Sequence, residues 1–229
     1  DFVARNDKFQ ALVKNVTAHI AANKPKDMTA LLAQKYQGGG TVQEALTTEI
    51  ATIGENLVLR RFELIDLSGT KNGVISYLHG EGRIGVLVEL TAQNDATTKA
   101  PQFAELAKDV AMHVAAMNPA CARAEELSSV LVEKEKEILT GKARESGKKE
   151  EMIPKIVEGQ LSKWKAEVVL VDQAFVKNPD IKVKDLVKQV SDTLKDQIAV
   201  KRFVRFELGE GIEKKKENFA EEVAAALKN

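Results

Sequence analysis

The sequence predicts an α+β protein: two duplicated α/β subdomains with antiparallel sheets, a protruding helical (coiled-coil) hairpin and a C-terminal helix. Three observations carry that prediction. FQALVKNVTAHIAANKP (9–25) aligns without a gap on FAELAKDVAMHVAAMNP (103–119), identical at eight of seventeen positions, and self-similarity of this kind marks a repeated structural unit. RRFEL (60–64) is echoed by VRFEL (204–208). Between the helix and the strand of the second copy alone stands a long charged stretch, 131–170.

Each element follows from its residues. In the repeat, Phe9, Leu12, Val16 and His19, like Phe103, Leu106, Val110 and His113, step by three or four and form one helix face. Pro25 and Pro119 stop those helices. NLVLRRFEL (56–64) and AVKRFVRFEL (199–208) alternate apolar with charged residues, the pattern of half-buried antiparallel strands. GVISYLHGEGRIGVLVEL (73–90) reads as a hairpin around a glycine-rich turn. GGGT (38–41) lacks the lysine of a phosphate loop and reads as a flexible linker.

Within 131–170, SGKK (146–149) breaks two helix-favouring halves, and Pro154 opens the second. Val132, Ile138, Ile153, Ile156, Val157, Leu161 and Trp164 supply a thin apolar stripe, enough for two helices packed on each other. A solvated surface hairpin and a partner-binding arm both fit that composition. The division expected is 1–72, then 73–211 with the hairpin inserted at about 131–168, then a C-terminal module at 212–229. In that last module Phe219, Val223 and Leu227 share one helix side.

Composition narrows the function. With 34 basic and 34 acidic residues and 5% aromatics, neither phosphate neutralisation nor stacking on nucleic acid is favoured. No apolar run approaches the ~20 residues of a membrane helix. The single cysteine, Cys121, cannot form an internal disulfide and fits a reducing compartment. No Cys/His spacing suggests zinc. His19 and His113 occupy equivalent positions late on a helix face, which favours a structural role near the helix C-terminus, where the dipole favours positive charge. His79 has no duplicate and sits beside Gly80 and Gly82 in YLHGEGR, either an exposed contact or a plain turn residue. An enzyme centred on His79 would need a converging acid or nucleophile, and none is legible. Exposed tips at Asp1–Phe2, Ile53–Gly54 and His79–Gly80, with the hairpin, suit a non-catalytic protein that pushes on a partner.

DFVARND (1–7), TIGENLVLRR (52–61), YLHGEGRIGVLVEL (77–90), AMHVAAMNP (111–119), SGKK with IVEGQLSKW (156–164), QAFV (173–176) and RFELGEGIEK (205–214) resemble the elongation factor Ts family, in order and across essentially the whole chain. The resemblance implies a guanine nucleotide exchange factor that promotes GDP release from elongation factor Tu without covalent chemistry, cofactor or metal. It implies contacts with elongation factor Tu, GDP-bound and nucleotide-free, through Asp1, Phe2, Val3, Ile53, Gly54, His79, Gly80 and Val176, with the C-terminal helix packing on the nucleotide domain. It also implies that the chain lacks the family's small helical N-terminal module and starts inside the exposed loop that touches the partner. Some members pair through the core, so a homodimer is among the implied assemblies, and bacterial cytoplasm and organelle matrix are the implied compartments. Neither nucleic acid nor membrane is an implied partner. The competing reading is a structural or chaperone-like binding module acting through the charged hairpin.

Overall fold

The computed structural model describes residues 2–212, so Asp1 and nearly all of the expected C-terminal helix lie outside the described residues. Helices and an antiparallel sheet share the chain, in two compact units, residues 1–66 and residues 67 onward.

The first unit opens with a 3-10 turn, Val3–Arg5, and helix α1, Asp7–Asn23. Asn6 caps α1 by accepting the Lys8 amide, and Lys24 ends it in the left-handed region, just before Pro25. Helix α2 spans Met28–Ala33, capped by Asp27, and helix α3 spans Val42–Ile53. Leu12, Val16 and Ile20 of α1 bury against Leu31, Val42 and Leu46, which closes a small core.

Two expectations fail in this unit. Residues 56–64 form no strand. Leu57 and Leu59, then Phe62 and Leu64, do alternate within each pair as half-buried residues packed on the core, with exposed Arg60 and Arg61 between the pairs. Alternation reports which side is buried, whereas a strand also needs a neighbouring backbone to complete its hydrogen bonds. The unit therefore contributes no strand, and the paired sheets expected from the RRFEL echo are absent among the described residues. Nor is GGGT a linker. Gly39 donates to Tyr36 O and Tyr36 to Gly40 O, and Thr41 then starts α3 through a reciprocal capping box with Glu44.

In the second unit, strands β1 (Gly73–His79), β2 (Ile84–Thr91) and β3 (Ala199–Glu207) form an antiparallel sheet in the order β1-β2-β3. Gly80, Glu81 and Gly82 all turn with positive φ, which makes the β1–β2 connection tight and places His79 opposite Ile84. Helix α4, Pro101–Met117, lies on the sheet and buries Phe103, Leu106, Val110 and Val114 against Val86, Val88 and Leu90. Gly73 gives Phe103 its room, since a Cβ there would collide with the ring. Helices α5 (Ser129–Glu145) and α6 (Ile153–Val168) pack on each other through Leu139, Ala143, Ile153 and Val157. Ile138 is exposed, and Leu139 takes the place in the apolar stripe assigned to it. A short ribbon follows, Ala174–Phe175 paired with Asn178–Lys182, and leads into helix α7, Val183–Leu194.

Glu89 of β2 is fully buried. Its carboxylate accepts hydrogen bonds from Asn72 Nδ2 (2.6 Å), Lys201 Nζ (3.0 Å) and Arg202 Nε (2.6 Å). Burial alone would raise its pKa. Hydrogen bonds from Arg202, Asn72 and Lys201, with the Arg202 charge, hold it below the ordinary carboxylate range instead.

Candidate functional site

A groove of about 500 Å³ opens on the second unit where β1, β3, α4 and the Ala174–Lys182 ribbon meet. The β1 strand sends Tyr77 and His79 to the same face because they are two residues apart, and Tyr77 Oη lies 3.1 Å from His79 Nδ1. Met112 and Ala116 of α4 line the floor, and Val176 and Lys177, the two-residue turn of the ribbon, form the far wall. Lys177 Nζ bonds Asp109 Oδ1 at 2.6 Å, which raises the lysine pKa. Arg205 of β3 reaches Glu207 and Ala115 O, while its buried Nε has no acceptor among the described residues.

The turn is held from below by His113. Its ring is fully buried in α4, with Nδ1 3.1 Å from the Val176 amide and Nε2 2.9 Å from Gln173 Oε1. Gln173 donates its own Nε2 to Glu167 O, so its oxygen must accept and His113 Nε2 must carry the proton. Nδ1 is then the acceptor for Val176, and the ring is neutral. Burial lowers the His113 pKa, only partly opposed by the Gln173 hydrogen bond. A structural role for this histidine holds, but its reason differs from the dipole argument, since the site disfavours the charged form. His19 makes the counterpart pairing in the first unit, with Nε2 2.9 Å from Gln34 Oε1 and Nδ1 3.2 Å from Asn23 Nδ2.

The residues singled out in the sequence fall in separate places. His79 and Val176 line the groove, and Gly80 begins the turn beside it. Within the other unit, Phe2 is 96% exposed, Val3 is half-buried, and Ile53 ends α3 with Gly54 as its left-handed cap. Asp1 lies outside the described residues. Cys121 donates to Arg123 O, and burial with Glu126 and Glu125 raises its thiol pKa, the opposite of an activated nucleophile. Among the described residues no group of His, Cys, Asp and Glu could hold a metal ion, and no helix is long and apolar enough to cross a membrane. Gln173, Tyr77 and Arg205 escaped the sequence reading. For Gln173 a signal was present: Gln34-Lys-Tyr36 and Gln173-Ala-Phe175 share one spacing, each glutamine meeting its repeat histidine.

The family model described as elongation factor TS matches residues 1–210. Elongation factor Ts of Bdellovibrio bacteriovorus is 52% identical over 231 aligned residues, an alignment that covers all of this chain and 74% of that protein.

Proposed function

The chain belongs to the elongation factor Ts family, and from that premise we propose how its surfaces serve guanine nucleotide exchange on elongation factor Tu. The chain is a guanine nucleotide exchange factor that promotes GDP release from that partner during translation elongation. Exchange of this kind is reciprocal coupling: a factor that binds nucleotide-free partner more tightly must be loosened by nucleotide to the same degree. No covalent step is required, only differential affinity for two states.

The observation that carries the reading onto residues is exposure. Phe2 stands 96% exposed at the start of a 3-10 turn, the geometry of an anchor that fills a partner's apolar pocket. With Asp1 and Val3 it is the contact for the nucleotide domain; Ile53–Gly54 is a second contact. His79–Gly80 and the 41% exposed Val176 flank one groove and form a third. The helix pair α5–α6 is read as a coiled-coil arm. A homodimer through the core remains compatible with these assignments. The bacterial relative favours the cytoplasm over an organelle matrix.

We further infer that the two subdomains expected from the sequence, 1–72 and 73–211, descend from one module. Both pair a repeat histidine with a glutamine at 2.9 Å. In both, the backbone oxygen of that glutamine accepts the amide of the first residue of a twelve-residue helix, Val42 or Val183, at 3.0 Å.

Release of a fluorescent GDP analogue from elongation factor Tu, followed at increasing concentration of this chain, tests the function. Saturable acceleration is expected. A stable complex without acceleration would mean gripping without opening, and the absence of both acceleration and complex would overturn the reading.

A further inference from the structure

We propose that His113 is a positioning residue for nucleotide exchange: as the neutral Nε2–H tautomer it fixes the Val176–Lys177 turn in the shape that meets elongation factor Tu. The inference rests on the assignment of Val176 as a partner contact. Val176 has 41% of its surface exposed, yet its own amide points inward to His113 Nδ1 at 3.1 Å. A two-residue turn has few internal hydrogen bonds, so one buried acceptor beneath it decides how the exposed side chain is presented. The acceptor exists only because the far side of the ring is committed. Gln173 Nε2 donates to Glu167 O at 2.7 Å, its Oε1 accepts from His113 Nε2, and Nδ1 is left with a lone pair. The line thus runs from Glu167 in the last turn of α6 through α4 to the groove. His19 lacks this output: its Nδ1 faces the Asn23 side chain rather than a turn amide.

Two substitutions separate positioning from packing, because glutamine and asparagine each keep one of the two ring nitrogens' partners. His113→Gln reproduces the Nε2 donor to Gln173 and loses the acceptor for Val176. His113→Asn reproduces the acceptor and loses the donor. In the GDP-release assay, His113→Gln is expected to raise the half-saturating concentration about fivefold, the effect of one net hydrogen bond, with the plateau rate unchanged. His113→Asn is expected to stay within about twofold of the unsubstituted chain. Equal losses in both, tracking their thermal stability, would reduce His113 to packing and overturn the proposal. Val176→Asp is the control for the underlying assignment: if it leaves half-saturation unchanged, the contact reading fails, whatever the His113 variants do. Nitrogen NMR of the unsubstituted chain at pH 7 needs no variant to fold. A protonated Nε2 with bare Nδ1 is expected, and an Nδ1–H tautomer or an imidazolium would overturn the proposal.

Discussion

The buried carboxylate of Glu89 predicts an asymmetry between itself and its cation. Arg202 and Lys201 keep 41% and 44% of their side chains in solvent, whereas Glu89 keeps 0%. Replacing Arg202 by leucine leaves a carboxylate in the sheet with Asn72 and Lys201 as its partners. Removing one partner of a buried pair costs about 3–5 kcal/mol, and the two remaining donors place this case near the lower end, about 3 kcal/mol. Replacing Glu89 by leucine takes one carboxylate away from two cations that already reach water, and the half-buried Asn72 side chain must find a new acceptor. That loss is about 1 kcal/mol, one net hydrogen bond. The same geometry fixes the pH dependence. Because the folded pKa of Glu89 is depressed, its stabilisation is fully present above the unfolded value of 4.5 and is lost as pH falls through the folded pKa. Urea unfolding followed by circular dichroism, at pH 7 and again at pH 4, measures both effects. Glu89→Leu should outlast Arg202→Leu at pH 7 by about 2 kcal/mol and lose less stability on acidification than the unsubstituted chain. Equal losses at pH 7, or an acid dependence unchanged in Glu89→Leu, would refute the assignment of Glu89 as the buried, charge-bearing member.

Three further outcomes are expected. Phe2→Ala should raise the half-saturating concentration for GDP release about thirtyfold, as for a 2 kcal/mol aromatic anchor. Its circular dichroism and melting temperature should stay unchanged, because Phe2 is 96% exposed. Gly73→Ala should destabilise the second unit by about 1–3 kcal/mol, the range for overpacking, since the added carbon meets the Phe103 ring in the core; urea midpoints check it. The depressed pKa of His113 means that the unfolded chain takes up a proton first as pH falls. Its contribution is therefore complete above about pH 6.5 and lost below, with a slope of at most about 1.4 kcal/mol per pH unit. Urea midpoints between pH 7.5 and 5.5 should show that slope, and His113→Asn should remove it.

What the sequence determined by itself is local. The 3.6-residue period of 9–25 and 103–119 specified α1 and α4, and the glycines of HGEGR specified the β1–β2 turn. Pro154 and SGKK placed the break between α5 and α6. Ordered motifs at fitting intervals sufficed for the family. Each of these signals lies within a few residues of the structure it dictates, so it can be read without knowing what packs where. Tertiary structure decided the rest. Residues 56–64 alternate like a strand but find no ladder, because pairing depends on a neighbour that alternation does not supply. Glu89 looks like any strand glutamate until Arg202, 113 residues on, closes over it. His113 looked like a helix-end cation and is a buried neutral ring, because its partners, Gln173 and the Val176 amide, lie 60 and 63 residues away. A side chain's charge state follows from what surrounds it, and that is set only when distant segments pack.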